Sequence, residues 1–136
     1  MIKYQLSSHS LSDSTAKDIC TKILETDSRI RSASICQDDG TILCSEHRSG
    51  KKSLTSQTEG QAALIQATAR YFNRKLHDKK FGKTMFSLTM HEKVARIAIP
   101  LQDKYVILIS AEKYADHTDL VMNDIFATLN FPPSYH

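Results

Sequence analysis

Apolar residues recur along the chain in two periods, and the switches between them mark out the elements. From Ser12 to Glu25 the period is helical, with Ala16, Cys20, Ile23 and Leu24 on one side and Lys17, Asp18 and Lys22 elsewhere. Ser12 or Asp13 can cap its start. From Ile30 to Cys36 the period becomes two, since Ala33 and Ile35 alternate with Ser32 and Ser34. Asp39-Gly40 supplies a tight hairpin turn, and Thr41 to Ser45 returns as a second strand. Glu46 to Ser53 is polar and basic and holds Gly50, which predicts an exposed loop.

A long helical pattern follows from Ser56 to His77, opened by a Ser56/Glu59 capping box and closed before Gly82. Three strands come next. Thr84 to Met90 puts Phe86, Leu88 and Met90 on one face and Met85, Ser87 and Thr89 on the other. Val94 to Leu101 aligns Ala95, Ile97, Ile99 and Leu101, with Pro100 unable to donate to a ladder. A turn at Gln102-Asp103 leads to Tyr105 to Ala111, which is nearly all apolar, as a strand covered on both faces should be. The last helix starts near Asp116 and carries Val121, Met122, Ile125, Phe126 and Leu129, with Pro132-Pro133 to stop it. Hairpins within each strand group imply an antiparallel sheet with helices on its faces, an α+β fold.

On this order of elements the chain resembles the roadblock/LC7 family, a branch of the profilin-like fold, and within it the small archaeal members without assigned activity. The resemblance spans Leu11 to Leu129. It rests on Ile23-Leu24, the hairpin of Ile30 to Ser45 with its Asp-Asp-Gly turn, the long helix after a polar loop, and Tyr105 to Ala111 followed by a helix at His117. It implies a five-stranded antiparallel sheet in the order α-β-β-α-β-β-β-α, with the second helix on one face and the terminal helices on the other. It also implies homodimers that pair their third strands edge to edge and pack their second helices, serving as scaffolds or as regulators of small GTPases. A single domain over 11–130 is expected, with polar tails at 1–10 and 131–136.

The second helix carries its own argument for self-association. At 100° per residue its apolar positions split. Ala62, Ile65, Ala69, Phe72 and Leu76 form the larger group, and Gly60, Leu64, Ala67 and Tyr71 lie nearly opposite. A helix on a sheet needs one apolar stripe. The larger group is expected to face the sheet and the smaller one to meet a partner, its Gly60 and Ala67 permitting close helix approach. With Met85, Ser87 and Thr89 of an open-edge strand, Gly60, Leu64, Ala67 and Tyr71 are the expected dimer or partner interface.

Composition changes this picture little. The 136 residues suffice for one domain, and 40% hydrophobic with 24% charged residues suits a folded chain. A formal charge of +3 does not by itself imply nucleic acid. Met1 to Ser10 has no apolar secretory core, and no run is long enough to span a membrane. Three cysteines without zinc spacing point to a reducing, cytoplasmic setting.

Candidate chemistry is sparse. Gly50-Lys51-Lys52-Ser53 falls short of GxxxxGK[ST], because Ser45 stands where the first glycine belongs and Lys52 displaces the hydroxyl. The six histidines are dispersed, and Cys36 and Cys44 are expected on opposite faces of their hairpin. No Ser-His-Asp or Cys-His constellation is visible. Arg70, Arg74, Lys75, Lys79, Lys80 and Lys83 form the densest basic stretch, which can contact phosphates but reads more simply as solvated surface. The sequence thus implies a non-enzymatic homodimeric interaction module with no catalytic residue, metal or cofactor. The alternative is a small-molecule sensor of the PAS/GAF kind, which needs a cavity between sheet and helices.

Overall fold

A computed structural model of the chain describes residues 10–129, so the expected tails lie outside the described residues except for Ser10. The proline stop at Pro132-Pro133 lies outside them too. In chain order the elements are α1 (Asp13–Thr26), β1 (Ile30–Gln37), β2 (Ile42–His47), α2 (Gln57–Arg74), a 3-10 turn (Lys75–His77), α3 (Asp78–Phe81), β3 (Ser87–Met90), β4 (Val94–Leu101), β5 (Tyr105–Glu112), α4 (His117–Asp119), a π-helical stretch (Leu120–Ile125) and α5 (Phe126–Leu129). The strands form one antiparallel sheet in the order β2-β1-β5-β4-β3. The apolar run of β5 is central, as its composition requires, and Tyr105 to Ile109 are all buried.

The sheet separates two cores of unequal size. The larger packs Ile19, Cys20 and Ile23 of α1 and Leu120, Val121, Ile125, Phe126 and Leu129 of the C-terminal helix against Ala33, Ile35, Ile97, Ile99, Ile107 and Ile109. Each fully buried aliphatic side chain there contributes about 1.5–3 kcal/mol. The smaller core, on the other face, holds Cys36, Val106 and Leu108 under Tyr71 of α2. Alternation along β1 and β5 produces both cores from the same strands.

The helix ends follow the capping chemistry. Ser12 accepts from the Thr15 N–H, Ser56 and Glu59 complete a capping box, and Asp116 accepts from the Asp119 N–H. Within the C-terminal helix the Phe126 N–H donates to the Val121 carbonyl, five residues back, which widens the turn.

Three boundaries differ from expectation. The long helical pattern stops at Arg74 and continues as a 3-10 turn and the short α3, because Gly82, at φ 88°, breaks the chain only after Phe81. The third strand is Ser87–Met90 and not Thr84 to Met90, since Asp78 accepts from both the backbone N–H and the hydroxyl of Thr84 and holds that segment off the sheet. The first hairpin needs more than a two-residue turn. Gly40 at φ 92° closes a wider loop, with Gln37 N–H bonded to the Thr41 carbonyl, and β2 carries an extra residue, Leu43, opposite the step from Ile35 to Cys36. The pairing of β3 ends at Ala98, two residues short of Pro100, so the missing donor falls where β3 has stopped.

Arg48, just past β2, ties the first three elements together. Its guanidinium donates to the carbonyls of Ile30 at 2.6 Å and Asp27 at 2.9 Å, and to that of Leu24, thereby satisfying carbonyls at and beyond the end of α1. Hydrogen bonds from a charged donor contribute about 1.5–3 kcal/mol. Arg48→Met is expected to lower unfolding stability by about 2 kcal/mol in urea titrations; an unchanged midpoint would mean that water satisfies these carbonyls equally well.

Candidate interaction surface and groove

Helix α2 lies on the small core, and its rotation about its own axis decides which residues can meet a partner. Tyr71 is 1% exposed and Thr68 equally buried, with Leu64 and Ala67 packed beside them against Cys36, Val106, Leu108 and Ala98. Phe72 is half-buried and meets the Tyr71 ring edge-on at 5.0 Å. Thr68 satisfies its own hydroxyl by donating to the Leu64 carbonyl at 2.8 Å.

This orientation reverses the expected one. Leu64, Ala67 and Tyr71, expected at a partner interface, face the chain's own sheet. Gly60, expected there with them, backs closely onto Thr55 of the preceding loop. Of the group expected against the sheet, Ala62, Ile65, Ala69 and Leu76 are exposed, Ile65 at 49% and Leu76 at 76%. The sheet itself supplies the reason. Its α2 face is lined by small polar residues, with Ser34 Oγ 2.8 Å from Ser45 Oγ and Ser32 Oγ 2.5 Å from Ser110 Oγ. A serine-rich face admits a helix through its small side, so Ala67 and Thr68 serve helix–sheet approach instead of helix–helix approach. Self-association therefore draws no support from Leu64 and Tyr71.

The edge-strand expectation divides. β3 is indeed at one edge of the sheet, with β2 at the other. Met85 lies outside the strand and packs against the larger core beside Phe86. Ser87 and Thr89, opposite Ala98 and Arg96, face the α2 side. Leu88 and Met90, opposite Ile97 and Ala95, are 39% and 50% exposed on the other side.

Between α2 and the β3–β4 part of the sheet runs a groove of about 80 Å³. Arg70 and Arg74 border it from α2 and Arg96 from β4, with the hydroxyls of Ser87 and Thr89 along β3. Arg96 donates to the Ala63 carbonyl at 3.3 Å. Burial, then the charge of Arg70, hold its pKa below the usual arginine value. The basic stretch of the sequence is thus divided: Arg70 and Arg74 reach the groove, while Lys79, Lys80 and Lys83 are exposed elsewhere.

The remaining chemistry is structural. Lys51 pairs with Glu112 at 2.7 Å, and the Lys52 carbonyl accepts from Arg31, so the Gly50 loop is tied to the end of β5. His117 is buried, with Nε2 2.8 Å from the Glu112 carbonyl. Cys36 lies in the small core and Cys44 against the large one, on opposite faces as expected. Sequence reasoning missed that Cys44 meets Cys20 of α1; burial pushes the Cys20 thiol far above its usual range, so it is a poor nucleophile. Among the described residues no three His, Cys, Asp or Glu side chains gather as a metal site, and no helix is long and apolar enough to cross a membrane.

No protein-family model matches the sequence, and no curated protein matches it either. Solved structures do match. The roadblock/LC7 domain from Streptomyces avermitilis superposes with a TM-score of 0.64 at 11% identity, over 85% of this chain and 93% of that one. The chain has the roadblock/LC7 fold. The gliding protein MglB from Thermus thermophilus matches with a TM-score of 0.67 at 9% identity, over 94% of this chain and 95% of its own. An MglB in a tetrameric arrangement matches with a TM-score of 0.65 at 9% identity, over 99% of this chain and 100% of its own. In this roadblock/LC7 fold the second helix and the terminal helices cover opposite faces, as the resemblance implied.

The rotation of α2 can be checked by stability. Tyr71→Ala should cost about 3 kcal/mol or more, and Tyr71→Asp should unfold the domain instead of releasing a monomer. Ile65→Ala should cost under about 1 kcal/mol in dilute solution. The reverse ranking in urea midpoints would restore the other orientation.

Proposed function

We propose that this domain is a non-enzymatic, homodimeric protein-interaction module. The observation that carries the reading is the open edge at β3. This strand is four residues long, it has a neighbour on one side, and its Leu88 and Met90 are exposed beside it. An unpaired edge presents backbone N–H and C=O groups that a second strand can satisfy. Pairing with its own copy would close the edge by a two-fold arrangement, the commonest in homo-oligomers. The tetrameric arrangement of an MglB with the same fold favours assembly as a use of this architecture. The exposed stripe of Ala62, Ile65 and Ala69 on α2, with Leu76 in the 3-10 turn after it, supplies a separate face for a protein partner.

The resemblance to roadblock/LC7 proteins favours a scaffold or a regulator of a small GTPase as the role. The domain then acts by positioning proteins and performs no reaction of its own. A cytoplasmic setting fits three cysteines that are all free thiols.

Light scattering tests the dimer. The wild-type chain should have twice its monomer mass at high micromolar concentration, and Leu88→Lys with Met90→Lys should halve that mass while leaving the far-UV circular dichroism unchanged. A wild type that stays monomeric at that concentration rules out the homodimer.

A further inference from the structure

We propose that the groove between α2 and the β3–β4 part of the sheet is a binding site for a phosphate group. Three arginines line it from two elements: Arg70 and Arg74 from one flank of α2, Arg96 from the strand beneath. Ser87 and Thr89 add hydroxyl donors from β3. Among the described residues no carboxylate lines the groove. None of the three arginines makes an ion pair among those residues, although Asp27 and Glu112 hold theirs elsewhere in the same domain.

The position of Arg96 is the unusual feature. A half-buried guanidinium has five N–H donors to satisfy, and among the described residues Arg96 donates to the Ala63 carbonyl at the long distance of 3.3 Å. It feels the like charge of Arg70. Withdrawing a cation from water beside another cation is unfavourable, and an anion between the two adds attractions that outweigh their mutual repulsion. The same positions would be tolerated more easily on open surface, where water satisfies each donor. Here β4 and α2 hold Arg96 and Arg70 together.

The donor set favours phosphate over carboxylate. A carboxylate offers two oxygens in one plane and is satisfied by one guanidinium fork. Three guanidinium groups and two hydroxyls approaching from helix and sheet match an anion that accepts in several directions, as a tetrahedral phosphate does. The groove is small, about 80 Å³, and suits a compact group, either free phosphate or the phosphate end of a larger molecule. This site does not depend on dimer formation, because all five side chains belong to one chain.

The test uses the full chain in chloride buffer at constant ionic strength. Inorganic phosphate, pyrophosphate and succinate are titrated while thermal unfolding and the arginine Nε–H signals in NMR spectra are followed. Phosphate should raise the melting temperature saturably and shift the signals of Arg70, Arg74 and Arg96. A stronger response to pyrophosphate than to phosphate would place the site at the phosphate end of a larger molecule, and an equal response would assign it to free phosphate. Arg70→Gln with Arg74→Gln, at exposed positions, should weaken the apparent affinity at least about tenfold and leave the fold intact. Arg96→Gln should abolish the saturable response. The site is overturned if the double variant responds to phosphate as the wild type does, if wild type shows no saturable response, or if succinate binds as tightly as phosphate. The Leu88→Lys, Met90→Lys chain should bind phosphate as the wild type does, which separates this result from the fate of the dimer.

Discussion

The seat of Tyr71 against β1 and β5 sets everything outside the large core. Its ring occupies the small core with Cys36, Val106 and Leu108, and no other large side chain of α2 is fully buried. A helix whose one fully buried large side chain is this aromatic residue cannot rotate without emptying that pocket, and the cavity would cost several kcal/mol. The rotation so fixed leaves Ala62 and Ala69 exposed, sets Ile65 beside Gly40 of the β1–β2 loop, and brings Arg70 and Arg74 to the groove over β4.

The two faces of the sheet therefore play different parts. The α1 side holds most of the buried aliphatic surface and supplies most of the hydrophobic stabilisation. The α2 side buries little and keeps its polar groups paired through Ser34 with Ser45 and Ser32 with Ser110. It is also the side that carries an exposed apolar stripe, a basic groove and, at its margin, the open β3 edge. Most of the hydrophobic stabilisation thus lies on one face of the sheet, so contacts at the α2 side would leave the larger core undisturbed.

Much of the architecture was legible in the sequence because local chemistry dictates it. Ser12, Ser56 and Asp116 mark three helix starts, the Tyr105 run marks the central strand, and serine alternation in β1 marks a two-faced one. The rotation of α2 was not legible from the helix alone. Ile65 and Phe72 make the bulkier stripe, and bulk usually marks the buried side. What the sheet accepts is decided by Ser32, Ser34, Ser45 and Ser110, which come from three strands and meet only in the fold. The signal was Thr68, a small hydroxyl residue between Leu64 and Tyr71 that can bond back to its own helix in an apolar setting. The arginine groove was hidden for the same reason, since Arg96 is 22 or more positions away from its α2 neighbours and sits in a strand whose pattern reads as ordinary alternation.

The orientation of α2 is tested most directly by nuclear Overhauser contacts from the Tyr71 ring. The account predicts strong contacts from its protons to the methyl groups of Val106 and Leu108, with the Ile65 δ-methyl broadened by a soluble paramagnetic probe. Contacts from Ile65 to those same methyl groups, with Tyr71 open to the probe, would contradict it.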